Sequence, residues 1–313
     1  MICYGIDIGG TKCAAVAAEV AGEKIAILAK ESFATPKNDP NGVLERLYRL
    51  LAPMIEKYGA GNVGISCGGP LNEETGVVLG PPNLPGWERV EIVRFFEEKT
   101  KLKAKLLNDA NASALAEWHF GAGIGCKNMV FMTFGTGLGA GLILNGKLYS
   151  GTNGNAGEVG HLRMASMGPV HYGKAGAWES FCSGSGISDL GKEVAEKKPD
   201  CALMKEAGNL ENVTAKLIAE LAHKGDKDCI GIYKRSGRIL GKGVAQLMDI
   251  LNPERIVIGG VYMRSHDLLD PEMYRVIKRE ALPHTAEVCK VLPAKLSENI
   301  GDCAAISAAL EIE

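Results

Sequence analysis

Four kinds of short segment in this chain carry residues suited to phosphate and carboxylate chemistry. Asp7-Ile8-Gly9-Gly10-Thr11-Lys12 lies between the apolar runs Ile2–Ile6 and Cys13–Ala18. Its glycines let backbone N–H groups point into a concavity that suits a phosphate, and a carboxylate at the mouth suits a hard cation such as magnesium. The same Gly-Gly also reads as a plain hairpin turn. Thr133-Phe134-Gly135-Thr136-Gly137 is a second such turn, between Met129–Met132 and Ala140–Leu144. Two β-branched runs end in Gly-Gly, at Gly68-Gly69 and at Gly259-Gly260. These pairs leave room for a ligand or simply turn the chain. Asn108-Asp109-Ala110-Asn111-Ala112 places a carboxylate at the start of a small-residue helix. Free N–H groups and the helix dipole there would hold it ionised, as a general base requires. Its bland reading is an N-cap aspartate.

The elements that must position these residues come in duplicate. The turn at Asp7 is echoed at Thr133, the strand ending in Gly68-Gly69 by Arg255–Gly260, and Asn108–Ala112 by Gly301-Asp302-Cys303-Ala304-Ala305. In the last pair an Asp stands at the expected N-cap of each helix. Helices are expected over about 41–58, 90–100, 212–223, 229–251 and 271–282. Alternating strands and helices imply an α/β fold with mixed sheets covered by helices. The duplication implies two similar domains facing each other across a cleft. The expected division is residues 1–117 plus a C-terminal helix 301–313 in one domain, and 118–300 in a larger one. The larger domain carries a Gly-rich insertion of about 149–210.

Bulk properties exclude several partners. The chain has 313 residues, 46% of them hydrophobic and 23% charged, with a net charge of −2. That balance gives no footing for nucleic acid or an anionic membrane. Nine cysteines occur without a C-x-x-C pair, and no signal peptide is visible, so reduced thiols in a cytoplasm are expected. Asn128–Gly146 lacks charge over nearly the length of a membrane span, but its glycines, with Thr133 and Thr136, favour a soluble hairpin.

Taken in order, these motifs resemble the ROK family of sugar kinases and sugar-sensing repressors, within the actin/hexokinase/Hsp70 ATPase superfamily. The resemblance runs nearly end to end. It implies two actin-like (ribonuclease H-like) domains, with ATP and Mg²⁺ as cofactors. Asp7 would order the cation. Gly9, Gly10, Thr11 and Lys12, with Thr133, Gly135, Thr136 and Gly137, would hold the terminal phosphates, and Gly259 and Gly260 would leave room for adenosine. Asp109 would be the catalytic base. Asn83, Asn108, Asp109, Glu158, His161 and Glu179 match the family's sugar contacts, with Gly68 and Gly69 beside them. Glu158 and His161 stand three apart, so a helical turn would put them on one face. Pro81–Trp87 reads as a stiff lid carrying Asn83.

The family pattern fails at one place. Its zinc-binding C-x-C-G-x-x-G-C-x-E is here Val170-His171-Tyr172-Gly173-Lys174-Ala175-Gly176-Ala177-Trp178-Glu179. The glycines and Glu179 remain, but the three cysteine positions hold Val170, Tyr172 and Ala177. A structural zinc needs about four N, S or O ligands. No structural zinc is expected, with Val170, Tyr172 and Ala177 filling the space apolarly. His171 and Cys182 have the wrong spacing to substitute. His161 keeps two readings, a sugar contact and a zinc ligand left without its metal.

The expected function is transfer of phosphate from ATP to a hexose at O6, as in glucokinases or N-acetylhexosamine and N-acetylmannosamine kinases. The alternative is a sugar-binding or sugar-sensing protein without transfer activity. Family repressors carry a helix-turn-helix ahead of the first phosphate motif, where only Met1–Ile6 stands here. A homodimer is expected by analogy with many ROK kinases. The residues do not choose among glucose, N-acetylmannosamine, N-acetylglucosamine, allose and fructose.

Overall fold

The computed structural model describes residues 1–312, apart from the side chain of Glu298. The chain runs β1 (Ile2–Ile8), β2 (Lys12–Ala21), β3 (Lys24–Ala34), α1 (Pro40–Tyr58), β4 (Asn62–Cys67), β5 (Leu71–Asn72), β6 (Val77–Val78), α2 (Ile92–Thr100), β7 (Ala104–Asn108) and α3 (Asp109–Phe120). It continues through β8 (Met129–Phe134), β9 (Leu138–Leu144), β10 (Lys147–Leu148), β11 (Val170–His171), β12 (Lys174–Ala175), α4 (Gly184–Lys197), α5 (Ala202–Ala207), α6 (Ala215–His223) and α7 (Lys227–Leu251). It ends with β13 (Arg255–Ile258), α8 (Val261–Glu280), α9 (Pro283–Val288), β14 (Lys290–Pro293) and α10 (Ile300–Leu310). Two five-stranded sheets result, in the orders β3-β2-β1-β4-β7 and β10-β9-β8-β13-β14. The first is mixed, because β1 pairs antiparallel with β2 and parallel with β4. In the second, β13 pairs parallel with both β8 and β14, and β10 pairs antiparallel with β9.

The chain divides into two compact units. The first holds Met1–Cys126, Gly141–Ala156 and the segment from Lys295 onward, and the second holds Lys127–Ala140 and Gly157–Ala294. In the first unit β1 and β4 are buried along most of their length, as strands covered on both faces must be. The small residues of α10 explain how that helix covers them. A Cβ at Gly64 would lie 2.0 Å from the Ala305 carbonyl oxygen, and one at Gly5 would lie 2.9 Å from the Ala305 Cβ. The Ala/Gly stripe thus lets a helix lie directly on a sheet. In the second unit, Gly237 and Gly241 of α7 make the same allowance for the backbone of α8 at Leu269 and Met273.

Two expectations about helices are corrected. The helix expected over 271–282 is α8, which starts at Val261 and carries Pro271 inside it. Ser265, at φ −139° and ψ 19°, interrupts it near its start. Pro271 suggests a helix start because proline lacks the N–H that an interior position donates. Neither repeated Asp is an N-cap. Asn108 caps α3, its side chain accepting from the Ala110 N–H at 2.9 Å, so Asp109 is the first helical residue. Asp302 lies in the first turn of α10, after Asn299 and Ile300. Asn128–Gly146 forms the β8–β9 hairpin and the turn that follows. No helix among the described residues is long and apolar enough to cross a membrane.

Candidate active site

Strand register explains why residues far apart in sequence meet in the first unit. Ile8 on β1 is level with Cys67 on β4, and Cys67 is level with Asn108 on β7. The β1–β2 turn, Gly68-Gly69 and Asn108-Asp109 therefore share the C-terminal edge of these parallel strands, where open α/β sheets bind ligands. The turn is fixed from within. The Gly9 N–H donates to the Lys12 carbonyl at 3.0 Å, the Thr35 hydroxyl donates to the Gly9 carbonyl at 2.6 Å, and the Thr35 N–H donates to the Thr11 carbonyl at 3.0 Å. Lys12 is exposed at its end. Gly10 has no room for a side chain, since a Cβ would lie 2.7 Å from the Asn83 carbonyl oxygen. The loop bearing Asn83 is anchored by Leu84 and Trp87, both buried in the first unit's core.

Carboxylates crowd this edge. Burial first, then the proximity of Asp302 and Asp109, pushes the Asp7 carboxyl up to about 6, against the pull of Lys30 and Lys12. Lys30 forms an ion pair with the buried carboxylate of Asp302. Asp109 Oδ1 accepts from the Ala110 N–H at 2.8 Å. Its Oδ2 is the nearest atom a Cβ at Gly68 would meet, at 3.8 Å, and a Cβ at Gly69 would meet the Asn108 amide at 3.2 Å. Glu73 was not singled out from sequence. Its Oε1 accepts from the Asn108 N–H at 3.0 Å and the Asn111 side-chain amide at 2.9 Å, which fixes the start of α3.

This donor set fits a hard cation. One ionised aspartate beside other carboxylates gains from a divalent ion, and magnesium on a nucleotide commonly uses one or two carboxylates plus water and phosphate. A closed cage is not required. Among the described residues no group of three or more His, Cys, Asp or Glu side chains is set to hold a metal.

The second unit builds a comparable edge without these acids. Ile258 on β13 is level with Met132 on β8 and Pro293 on β14, so Thr133–Gly137 and Gly259-Gly260 lie together. Gly260 is obligatory: its φ is +69°, and a Cβ would lie 2.1 Å from the Phe134 carbonyl oxygen. The Gly135 N–H donates to the Gly137 carbonyl at 3.0 Å. The Gly184 N–H donates to the Gly135 carbonyl at 2.7 Å, and the Ser185 hydroxyl donates to the Thr136 carbonyl at 2.7 Å. A Cβ on Gly137 would lie 2.5 Å from Glu179 Oε2.

Glu158, His161 and Glu179 also belong to the second unit. Glu158 precedes a 3-10 turn, Val159–His161, and its Oε2 lies 4.0 Å from His161 Nε2, on the shared face expected. Glu179 is held by three donors. Its Oε2 accepts from the Leu138 N–H at 2.8 Å and the Tyr172 hydroxyl at 2.6 Å, and its Oε1 from His171 Nδ1 at 2.9 Å. The other ring nitrogen of His171 reaches Asp189 Oδ2 at 3.1 Å, and Lys192 bonds Asp189 Oδ1 at 3.2 Å. Each ring nitrogen thus lies within hydrogen-bond distance of a carboxylate oxygen. Burial works to lower the His171 pKa, but the two carboxylates outweigh it and leave it raised. The Tyr172 ring stacks on His161, with centroids 3.5 Å apart.

The loop thus differs from the expected apolar filling. Val170 is 64% exposed and Tyr172 50%, and only Ala177 is fully buried. The Tyr172-Gly173 tip turns the two outer positions away from the core. The residues do not fit zinc: Val170 and Ala177 offer no donor, and the Tyr172 hydroxyl is engaged by Glu179. Cys182 is buried and donates to the Ser236 carbonyl at 3.5 Å. The sequence presents His171 and Tyr172 only as zinc-loop positions and does not mark Asp189, because no spacing announces a hydrogen-bond network. Lys30 was equally silent, whereas Asp302 was flagged by its echo of Asp109.

Two mixed-sheet units with glycine turns at their strand ends are two actin-like ATPase domains. The chain belongs to the ROK family, whose model matches residues 3–311. It is 32% identical over 308 residues to a glucokinase of Halalkalibacterium halodurans, covering 95% of this chain and 91% of that one. It is similar to the solved structure of a ROK family glucokinase from Streptomyces griseus in complex with glucose and AMPPNP, at 30% identity and TM-score 0.79, covering 100% of both chains. A xylose repressor of Caldicellulosiruptor bescii is 29% identical over 304 residues, covering 94% of this chain and 74% of the repressor.

Proposed function

We propose that this chain is an ATP-dependent sugar kinase that phosphorylates a hexose at O6, in a cytoplasm and as a homodimer. One observation carries the reading: Asp109 opens α3 at the same strand edge as Asp7 and the Gly9-Gly10 turn. Phosphoryl transfer needs a positioned nucleotide, a cation, an acceptor and a group that takes the acceptor's proton. Asp109 receives the proton from the sugar hydroxyl. Its Oδ1 is held by the Ala110 N–H, which favours the ionised form that a base must have. Asp7, with Asp302 near it, would hold Mg²⁺, which supplies charge neutralisation at the transferring phosphoryl group. Gly9, Gly10, Thr11 and Lys12 offer backbone and side-chain donors suited to the phosphates of ATP, and so do Thr133, Gly135, Thr136 and Gly137. Gly259 and Gly260 leave space for adenosine.

Asn83, Asn108, Glu158, His161 and Glu179 mix donors and acceptors, as sugar hydroxyls require. Gly68 and Gly69 keep the neighbourhood of Asp109 and Asn108 clear of side chains. Glucokinase and N-acetylmannosamine kinase names among the relatives support a hexose or an N-acetylated relative. The repressor relatives favour a second reading, sugar binding without transfer. ADP release on a panel of hexoses at fixed ATP and Mg²⁺ separates the two. Release that rises with one sugar is expected. Sugar binding by calorimetry without sugar-dependent release would overturn the kinase reading.

A further inference from the structure

We infer that His171 and Tyr172, at the tip of the β11–β12 hairpin, are positioning residues that hold Glu179 and His161 for the sugar without a metal. The inference rests on the sugar-kinase reading above. Three features of this unit support it independently.

The first is backbone strain. Tyr172 has φ +53° and Gly173 φ +70°, between the paired strands Val170–His171 and Lys174–Ala175. Two left-handed residues make the two-residue hairpin turn that normally takes Asn-Gly or Asp-Gly. An aromatic residue is a poor occupant of the first position. Strain of this kind persists where the surroundings impose it, and it clusters at functional sites.

The second is what that side chain reaches. The Tyr172 hydroxyl donates to Glu179 Oε2 at 2.6 Å while its ring stacks on His161. One side chain therefore fixes both residues. An Asn at this position would relieve the turn but would carry no aromatic ring to stack on His161.

The third is the bracing on the opposite side. His171 spans Glu179 and Asp189, and Asp189 lies on α4 with Lys192 one turn further on. Glu179 is tied through His171 to a helix, where relatives with the cysteines would tie this loop through zinc. The three protein donors occupy both sites of Oε2 and one of Oε1. A lone pair on Oε1 stays available to a hydroxyl. The Leu138 N–H bond couples the same carboxylate to the start of β9, just after the second glycine turn.

The test uses the whole chain and has three arms. In the metal arm, the purified protein is expected to hold no zinc and to melt at the same temperature with and without EDTA. Stoichiometric zinc whose removal lowers the melting temperature overturns the inference. In the kinetic arm, Tyr172→Asn creates the preferred Asn-Gly turn, so its melting temperature is expected to stay level or rise. Its sugar KM is expected to rise roughly tenfold or more, with a smaller change in ATP KM. Tyr172→Phe, which keeps the stacking ring, is expected to show part of that effect. Wild-type sugar kinetics in both variants overturn the inference. The third arm is independent of activity. In a stability cycle of His171→Gln and Glu179→Gln, the double variant is expected to lose less than the sum of the single losses, and strict additivity overturns the inference. Absence of turnover on every sugar by the wild type would refute the kinase reading, and this cycle would still report on the clamp.

Discussion

The strand edges of the two units share a scaffold but differ in chemistry. In the first, Asp7 and Asp109 stand at the ends of β1 and β7, Glu73 reaches Asn108 from just after β5, and Asp302 lies close enough to Asp7 to raise its pKa. In the second, Thr133–Gly137 and Gly259-Gly260 occupy the matching strand ends and bring no ionisable side chain of their own. On the kinase reading proposed above, proton and cation chemistry fall to the first edge, and neutral backbone donors to the second. Close backbone approaches shape both edges, Gly10 on Asn83 in the first and Gly260 on Phe134 in the second, and only the first adds carboxylates.

The division is broken most directly at Asp109. Asp109→Asn is expected to lower kcat by about 10²- to 10⁴-fold while leaving sugar affinity within a few-fold of wild type. Coupled ADP release and calorimetry measure the two quantities. The matching change on the second edge, Thr136→Ala, is expected to cost less than about tenfold, because that edge works through its backbone. A variant at Asp109 that keeps half of wild-type turnover would erase the contrast.

Gly137→Ala sharpens the contrast from the other side. The added Cβ would lie 2.5 Å from Glu179 Oε2, so either the turn or the carboxylate must move. The expected outcome is a loss of about 1–3 kcal/mol in stability and a raised ATP KM. Urea unfolding and ATP titration at saturating sugar check both. Wild-type values would mean that the turn yields freely and that its shape is unimportant.

Much of this architecture was legible in the residues. Glycine turns between apolar runs, repeated in order, mark both strand edges, and Asp109 stood out as an acid before a small-residue helix. What sequence does not carry is register and side-chain reach. Nothing local says that Lys30 meets Asp302, or that Glu73 accepts from Asn108 and Asn111 at the start of α3. Likewise Glu117, fully buried, accepts from the N–H groups of Ala122, Lys295 and Leu296, two of them distant in sequence. The loop from Val170 to Glu179 misled because the missing cysteines implied apolar filling. The left-handed Tyr172-Gly173 tip instead leaves Val170 exposed and brings His171 and the Tyr172 hydroxyl to Glu179.

Asp7 gives the smallest and most specific test, since its carboxyl differs from any group on the second edge. Its ordinary value of 3.8 is raised to about 6 in the fold, first by burial and then by Asp302 and Asp109. The folded chain therefore binds this proton more tightly than the unfolded chain. The stability linked to it is fully present below 3.8 and is lost as pH rises to about 6. Asp7→Asn removes the titration. At neutral pH the variant is expected to be more stable than wild type by on the order of 2–3 kcal/mol, with the gain fading as pH falls toward the ordinary carboxylate value. Mg²⁺ is expected to raise the wild-type melting temperature at neutral pH and to do little for the variant. Thermal melts across this range, with and without Mg²⁺, read both effects. A pH-independent difference between the two proteins would mean that Asp7 is ionised at no cost, and that the first edge is no more strained by charge than the second.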